Sequence, residues 1–433
     1  METARRLLLG SLPSIYLKQN VLNGREVEKM NWMELDQEYM MPTYNRLPIT
    51  VAKGEGNYII DENGKEYLDL FTGLAVNILG HSHPYLMKKL EEQSRQFLHV
   101  SNFFLNKPAI TLAHRLIEHS VQGKVYFGNS GAEATEAAVK LIHKWTASQE
   151  ETRQGIVVLK NSFHGRTLGV IRLTRQPGIY QDYPAADYPV YETEAENLIA
   201  LEEVLKEKKP AALLMEPVLG SGGIMPLSNT FLQEAEKLCR QYNVLLCMDE
   251  IQTGMGRTGT LFAYQHAGVE PDIILFAKGI GGGLPLGGLI AKTGLDELFQ
   301  PGDHGTTFGP SPLSAALGNA VLDVLMEQNG LEHGRENAEY LLNQLEDLQV
   351  RSDNKIKEIR GAGMMLGVLL DASGEEVKYL QQQLLKRGFM VNITQGTIIR
   401  LLPPLTLKKE ETDAFILALE EELAARRGGV KTT

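Results

Sequence analysis

Between roughly residues 124 and 291, short runs of branched apolar residues alternate with stretches whose apolar positions recur every three or four residues. The apolar runs predict strands at 125–127, 156–159, 211–215, 244–248, 273–277 and 289–291. The stretches between them predict helices at 132–147, 196–208 and 229–242, the last closing in a polar turn at 241–243. Strands that are apolar throughout, separated by amphipathic helices, predict a mostly parallel sheet covered on both faces.

The two ends of the chain read differently. Residues 43–72 alternate as short strands, with Asp61-Glu-Asn-Gly64 as a hairpin signal. Residues 313–433 read as two helices (313–328 and 334–348), strands, and a terminal helix at 408–426. Both ends are assigned to one smaller α+β domain. The expected organisation is an arm and part of the small domain over 1–75, a large α/β domain over 76–312, and the rest of the small domain over 313–433.

Composition narrows the function classes. With 43% hydrophobic and 22% charged residues, the 433-residue chain is an ordinary globular protein rather than a disordered one. A formal net charge of -11 repels nucleic-acid backbones and anionic membranes, so neither is an expected partner. No run approaches the roughly 20 apolar residues needed to span a bilayer. The basic pair and short apolar patch within residues 1–10 read as an arm or helix on the body rather than a signal peptide. Cys239 and Cys247 form no CxxC pair and read as buried thiols, giving no zinc ribbon or disulfide framework. The expected compartment is the cytoplasm.

In open parallel sheets, ligands bind beyond the carboxyl ends of the strands. The residues just past each predicted strand are therefore the first place to look for chemistry. In chain order these are Gly128-Asn-Ser130-Gly131-Ala132, Asn161-Ser-Phe163-His164-Gly165-Arg166, Glu216-Pro217, Asp249-Glu-Ile-Gln252 and Lys278-Gly279. Ser130-Gly131-Ala132 opens a helix, where free N–H groups suit a phosphate; the same serine also reads as a helix cap, with Glu133 completing a capping box. Lys278 emerges from an apolar run, and burial there would make it a nucleophilic amine; alone, it also reads as a surface lysine past a strand end. Asp249 ends a strand 29 positions earlier and could hold a pyridine nitrogen protonated, or simply cap a helix.

Two decoys carry little weight. Gly254-Met-Gly256-Arg-Thr-Gly259 matches the dinucleotide-binding pattern, but it is not set directly between a strand and a helix, and the following strand ends in Lys278 instead of an acid. His81-Ser-His83 reads as a turn before a helix at Pro84, with no third ligand to make a metal site.

At these residues the sequence resembles the class III, fold type I pyridoxal-phosphate aminotransferases, and within them the acetylornithine and ornithine branch. The carriers are Leu74-Ala-Val-Asn77 with Gly80-His-Ser-His-Pro84, Asn129-Ser-Gly-Ala-Glu-Ala134, Asn161-Ser-Phe-His-Gly-Arg-Thr167, Asp249-Glu-Ile-Gln252 with Gly256-Arg-Thr-Gly259, Ala277-Lys-Gly279, His304-Gly-Thr-Thr-Phe308 and Arg400-Leu-Leu-Pro-Pro-Leu405. The resemblance implies that Lys278 is the Schiff-base lysine and proton shuttle, and that Asp249 pairs with the pyridine nitrogen. It implies a cofactor pocket of Ser130, Gly131, Ala132, Phe163, His164 and Gln252, with Thr307 reaching the phosphate of a neighbouring subunit. It further implies Arg166 and Arg400 as carboxylate anchors, Tyr44 assisting, a homodimer with shared sites, and an amino acid and a 2-oxo acid as substrates in a ping-pong reaction.

The sequence departs from that branch at Glu216-Pro-Val-Leu-Gly-Ser221-Gly-Gly. The branch usually has Gln and Glu where Leu219 and Ser221 stand, and that Glu masks the arginine matching Arg400 while the donor binds. A serine there resembles dialkylglycine decarboxylase, which keeps a decarboxylating or broad ω-amine reaction open as the alternative. Pro310-Ser311 also stands where Gly-Asn is usual. Gly73 resembles the acetylornithine enzymes, since ornithine aminotransferases carry a tyrosine there. The resemblance therefore implies an ω-amino donor such as N-acetylornithine, in arginine biosynthesis, and 2-oxoglutarate as acceptor.

Overall fold

The computed structural model describes residues 31–184 and 186–425 of the chain. The expected arm within residues 1–10 and the last residue of the expected terminal helix, Arg426, lie outside the described residues. The described residues form two compact units, one of 31–52 with 61–64, the other of 53–60 with 65–184 and 186–425.

In the first unit, Asn31 caps the helix Trp32–Tyr39 by accepting the Met33 N–H at 3.1 Å. Arg46 pairs with Asp36 at 3.1 Å and lies 5.9 Å from the centre of the Tyr44 ring. Asp61–Gly64 closes as the expected turn: the Gly64 N–H is donated to the Asp61 carbonyl at 3.0 Å, with Gly64 at φ +81°.

The second unit is built on a seven-stranded sheet. Its strands are β1 (Gly123–Gly128), β2 (Ile156–Leu159), β3 (Val190–Thr193), β4 (Ala212–Met215), β5 (Leu245–Asp249), β6 (Ile273–Phe276) and β7 (Gly287–Lys292), in the spatial order β1-β7-β6-β5-β4-β2-β3. β2 to β6 run parallel to one another, and β7 is antiparallel to both its neighbours. The continuous apolar runs have a direct physical reason. Alternate side chains feed two separate cores: Val157, Leu213, Leu246 and Ile274 pack on one face, and Val158, Leu214, Cys247 and Ile273 on the other. The first core is closed by helices α2 (Leu198–Lys208) and α3 (Asn229–Gln241), the second by α1 (Gly131–Ala147).

The two expected helices appear as Pro312–Leu322 and α4 (Gly330–Arg351), and the strands β8 (Ile356–Ala362), β9 (Met365–Leu370), β10 (Asn392–Thr394) and β11 (Ile398–Leu401) follow, but an additional helix, α5 (Gly374–Lys386), divides them before α6 (Lys409–Ala425). The sheet order is β8-β9-β11-β10. Chain ends also meet in a second small sheet, where Phe389–Met390 runs parallel to Glu66–Asp69. Among the described residues no helix is long and apolar enough to cross a membrane.

Candidate active site

Register brings the carboxyl ends of the parallel strands to one rim: Asp249 stands opposite Leu275, and Met248 opposite Met215. Asp249 is the last residue of β5, Glu216 follows β4, and Lys278 comes two residues after β6. Distant parts of the chain thus deliver their polar groups to one place.

Lys278 sits at φ +51°, a left-handed conformation that non-glycine residues rarely hold. Its side chain makes no hydrogen bond or ion pair with the described residues. The residue is half-buried, yet its ammonium end is desolvated, and that burial pushes it down to about 8 against the attraction of Asp249 and Glu216. Arg400 and Arg257 add like-charge repulsion in the same direction.

Asp249 is buried and holds two contacts: His164 Nδ1 lies 2.7 Å from its Oδ2, and the Ile251 N–H is donated to Oδ1 at 3.1 Å. Glu216 stands nearby, accepting the Phe163 N–H at 2.9 Å and the Gly220 N–H at 3.1 Å. Burial pushes its carboxyl up to about 7, partly offset by His164. Gln252 packs against Gly220, where any Cβ would fall 2.1 Å from its Oε1. That oxygen is buried without a hydrogen-bond partner among the described residues, as is His164 Nε2.

At the start of α1, Ser130 Oγ accepts the Glu133 N–H at 3.2 Å, so the serine is a true cap. The expected capping box does not form. Glu133 reaches back one residue further, to the Asn129 N–H, and also takes the Asn129 Nδ2–H at 3.2 Å. The first-turn N–H groups of Gly131 and Ala132 have no partner within the helix. Gly131 is closely packed: a Cβ there would lie 2.9 Å from Ile251 Cδ1, so that side chain would have to shift. This helix start is near Lys278 as well, because a Cβ on Gly287 would lie 2.5 Å from the Ser130 carbonyl oxygen and 3.2 Å from Ala277 Cβ.

Arg400 lies in β11, buried, with Nε and Nη2 donating to Asn392 Oδ1 at 2.9 and 2.6 Å. Burial lowers it to about 10, while Glu216 raises it. Arg166 is exposed, its guanidinium carbon 5.2 Å from the centre of the Phe163 ring. Ser221 is tied in through its carbonyl, which accepts from Thr394 Oγ1 at 3.2 Å and Gln395 Nε2 at 2.8 Å. Thr307 is exposed, and Tyr44 is exposed in the first unit.

The chain belongs to the class-III aminotransferases. That family's model matches residues 39–423. The chain is 39% identical to the acetylornithine aminotransferase of Methanocaldococcus jannaschii, over 90% of this chain and 97% of that protein. It is 40% identical to the succinylornithine transaminase of Salmonella typhimurium, over 91% and 97%. Among solved structures, Toxoplasma gondii ornithine aminotransferase, described with partial occupancy of PLP at its active site, superposes with a TM-score of 0.86 at 29% identity, covering 91% of this chain and 93% of that one. Acetylornithine aminotransferase from Elizabethkingia anophelis gives 0.80 at 30% identity, over 91% and 98%. This class-III aminotransferase has the fold type I architecture, and its reaction is pyridoxal-phosphate-dependent transamination (EC 2.6.1.-).

Two residues of this aminotransferase's site, Asn392 and Arg257, are given no role by the sequence, and Glu216 is found at its strand end without one. Glu216 had the same signal as Asp249, an acid directly after an apolar strand. Asn392 had none, since only the pairing of β10 with β11 sets it opposite Arg400. Arg257 sits inside the dinucleotide-like decoy and is fully buried, its Nη1 donating to the carbonyls of Met364 (3.2 Å) and Pro403.

Proposed function

We propose that this enzyme transfers the ω-amino group of an N-acylated ornithine to a 2-oxo acid, 2-oxoglutarate first among them, with Lys278 and Asp249 as its catalytic residues. The observation that carries the reading is the desolvated Lys278 amine, lowered to about 8, at the same strand-end rim as the buried Asp249 carboxylate. The donor class rests on the relatives named for acetylornithine and succinylornithine. It is supported by Gly73, where a Cβ would have only Val76 within 4 Å, at 3.8 Å, so the position is open.

The residues present fit pyridoxal phosphate. The first-turn N–H groups of Gly131 and Ala132, with Ser130, make a phosphate cradle at a helix N-terminus. Asp249 would face the ring nitrogen with a carboxylate, and Phe163 and His164 would border the ring. The partnerless Gln252 Oε1 is a buried polar atom that a bound group would satisfy. When bound, the cofactor supplies an aldehyde that accepts the amino group and a ring that takes up the electron pair left on the substrate carbon.

The chain's own residues do the rest. Lys278 would hold the group through its amine, and its amine, when free, would carry a proton from the substrate carbon to the cofactor, a role suited to a group lowered to about 8. Asp249 carries the negative charge that keeps a ring nitrogen protonated, and His164 fixes its orientation at 2.7 Å. Arg400 and Arg166 anchor carboxylates as charge-assisted forks, with Ser221 assisting.

We further infer a homodimer with shared sites. Phe103, Phe104 and Leu105 are 96%, 70% and 88% exposed, a contiguous apolar patch of the kind that marks an interface. Asn102 next to them donates to the carbonyls of Thr306 (2.9 Å) and Gly309 (3.0 Å), so the patch adjoins the Thr307 segment expected to reach a neighbour's phosphate.

A donor panel tests the function. N-acetylornithine, N-succinylornithine, ornithine, 4-aminobutyrate and alanine are each supplied with 2-oxoglutarate, and glutamate is measured. Highest kcat/KM with an N-acylated ornithine is the expected result; inactivity with both acyl donors sinks the donor assignment. Release of carbon dioxide from a 2,2-dialkyl amino acid would favour the decarboxylating alternative that Ser221 keeps open.

A further inference from the structure

The hairpin formed by β10 and β11 carries a pair of side chains whose arrangement transamination alone leaves unexplained. Asn392 and Arg400 stand opposite each other. Asn392 Oδ1 takes both the Nε and the Nη2 hydrogen bonds of Arg400. Because a guanidinium only donates, the amide oxygen must point at Arg400 and its NH2 group away from it. That NH2 group makes no hydrogen bond with the described residues.

Arg400 therefore has a neutral clamp and, among the described residues, no carboxylate within ion-pair distance. Glu216 is the carboxylate whose charge it feels, but both Glu216 oxygens are taken by backbone N–H groups, and burial brings that acid to about 7. The turn of the same hairpin is fastened to the Ser221 carbonyl by Thr394 and Gln395, while the Ser221 hydroxyl makes no hydrogen bond with the described residues. A neutral oxygen orients the guanidinium without cancelling its charge, which a carboxylate in the same place would do.

We propose that Asn392 is a positioning and specificity-determining residue that presents Arg400 permanently to the carboxylate next to the reacting carbon, that of the 2-oxo acid or of an amino acid with a free α-amine. Direction to the ω-amine then comes from the blocked α-nitrogen of the donor, not from a counter-charge that withdraws. The inference rests on the N-acylated donor reading. An amino acid with a free α-amine seats its α-carboxylate on Arg400 and offers that amine for transfer; an acylated one has only its ω-amine to give. In both cases the donor carbon exchanges its amine for a carbonyl oxygen and the 2-oxo acid carbon does the reverse, so no outside oxidant is needed.

The test uses holoenzyme of the wild type, Asn392→Leu and Asn392→Asp. Glutarate, a dicarboxylate without the reactive carbonyl, is titrated by calorimetry, and 2-oxoglutarate kinetics are measured alongside. Both variants are expected to raise the glutarate Kd and the 2-oxoglutarate KM by about tenfold or more, as loss or neutralisation of a charge-assisted bond predicts. For Asn392→Leu, kcat at saturation stays within about twofold, since the interaction is made equally in ground and transition states. Unblocked ornithine, followed by NMR, should yield the products of both α- and ω-transfer from the wild type and chiefly the ω-product from Asn392→Asp. Unchanged glutarate binding in both variants, a fall in kcat alone, or exclusive ω-transfer by the wild type would overturn the proposal. Failure of the donor reading looks different: no turnover of N-acylated ornithine, with the glutarate titration still deciding the clamp.

Discussion

His164 Nδ1 lies 2.7 Å from Asp249 Oδ2, and both side chains are sealed from solvent. A buried carboxylate held this way has one orientation, which is what a group meant to face a ring nitrogen requires. Asp249→Asn keeps the shape and removes the charge. Its turnover is expected to fall at least roughly 100-fold with little change in cofactor uptake, a loss of about 3 kcal/mol or more. His164→Ala leaves the charge but not its fixing, and should cost about tenfold. Steady-state kinetics of the two variants, with the visible absorbance of the holoenzyme as control, separate the two effects.

The lowered value of Lys278 sets a pH dependence. A neutral amine is the reactive form, and the ammonium loses its proton around 8 instead of the ordinary 10.5. Uptake of pyridoxal phosphate by the apoprotein should therefore speed up as pH rises and level off above about 8. Stopped-flow absorbance across the range reads this directly. A rate still climbing steeply well beyond that value would mean the amine is solvated.

Gly131 gives a steric test of the phosphate cradle. Gly131→Ala places a Cβ 2.9 Å from Ile251 Cδ1 and 3.0 Å from Cγ2, so one of the two must move. The cofactor Kd is expected to rise about tenfold, in line with overpacking costs of about 1–3 kcal/mol. Ile251→Ala in the same chain should restore much of the affinity. Equilibrium titration of the apoproteins shows whether the pair is non-additive.

The apolar patch at Phe103–Leu105 predicts an oligomeric effect. On the proposed homodimer, Phe103→Asp with Leu105→Asp should shift the enzyme to monomers in sedimentation velocity and weaken cofactor retention, the result expected if Thr307 serves a neighbour's site. An unchanged sedimentation coefficient would assign the patch to something other than the dimer.

The architecture is legible in the sequence because the strands are buried on both faces, so they read as unbroken runs such as Ile156–Leu159 and Ile273–Phe276. β3 escapes that reading: Val190–Thr193 lies at the sheet edge, is only partly buried, and alternates with Tyr and Glu. The strand-end rule exposes Asp249 and Lys278 for the same reason, since a charged residue after an apolar run stands out. Asn392 cannot be found that way. Its role comes from a cross-strand register, and a register is not written in either strand alone. Glu133 has the right residue type for a capping box, yet the bend at Asn129 offers it a different N–H, a choice that only the backbone path decides.

Lys278 occupies a backbone position that suits glycine and holds a charge that would rather be hydrated. Both features oppose folding, so, with the catalytic role proposed for Lys278, the apoprotein carries a weak point at the residue it can least spare. Lys278→Gly should melt at a higher temperature than the native apoprotein while being inert, by an amount set by about 1–3 kcal/mol of released backbone strain. Heat resistance and turnover are thus coupled in opposite senses at a single residue, and selection for one in this chain will meet the other there.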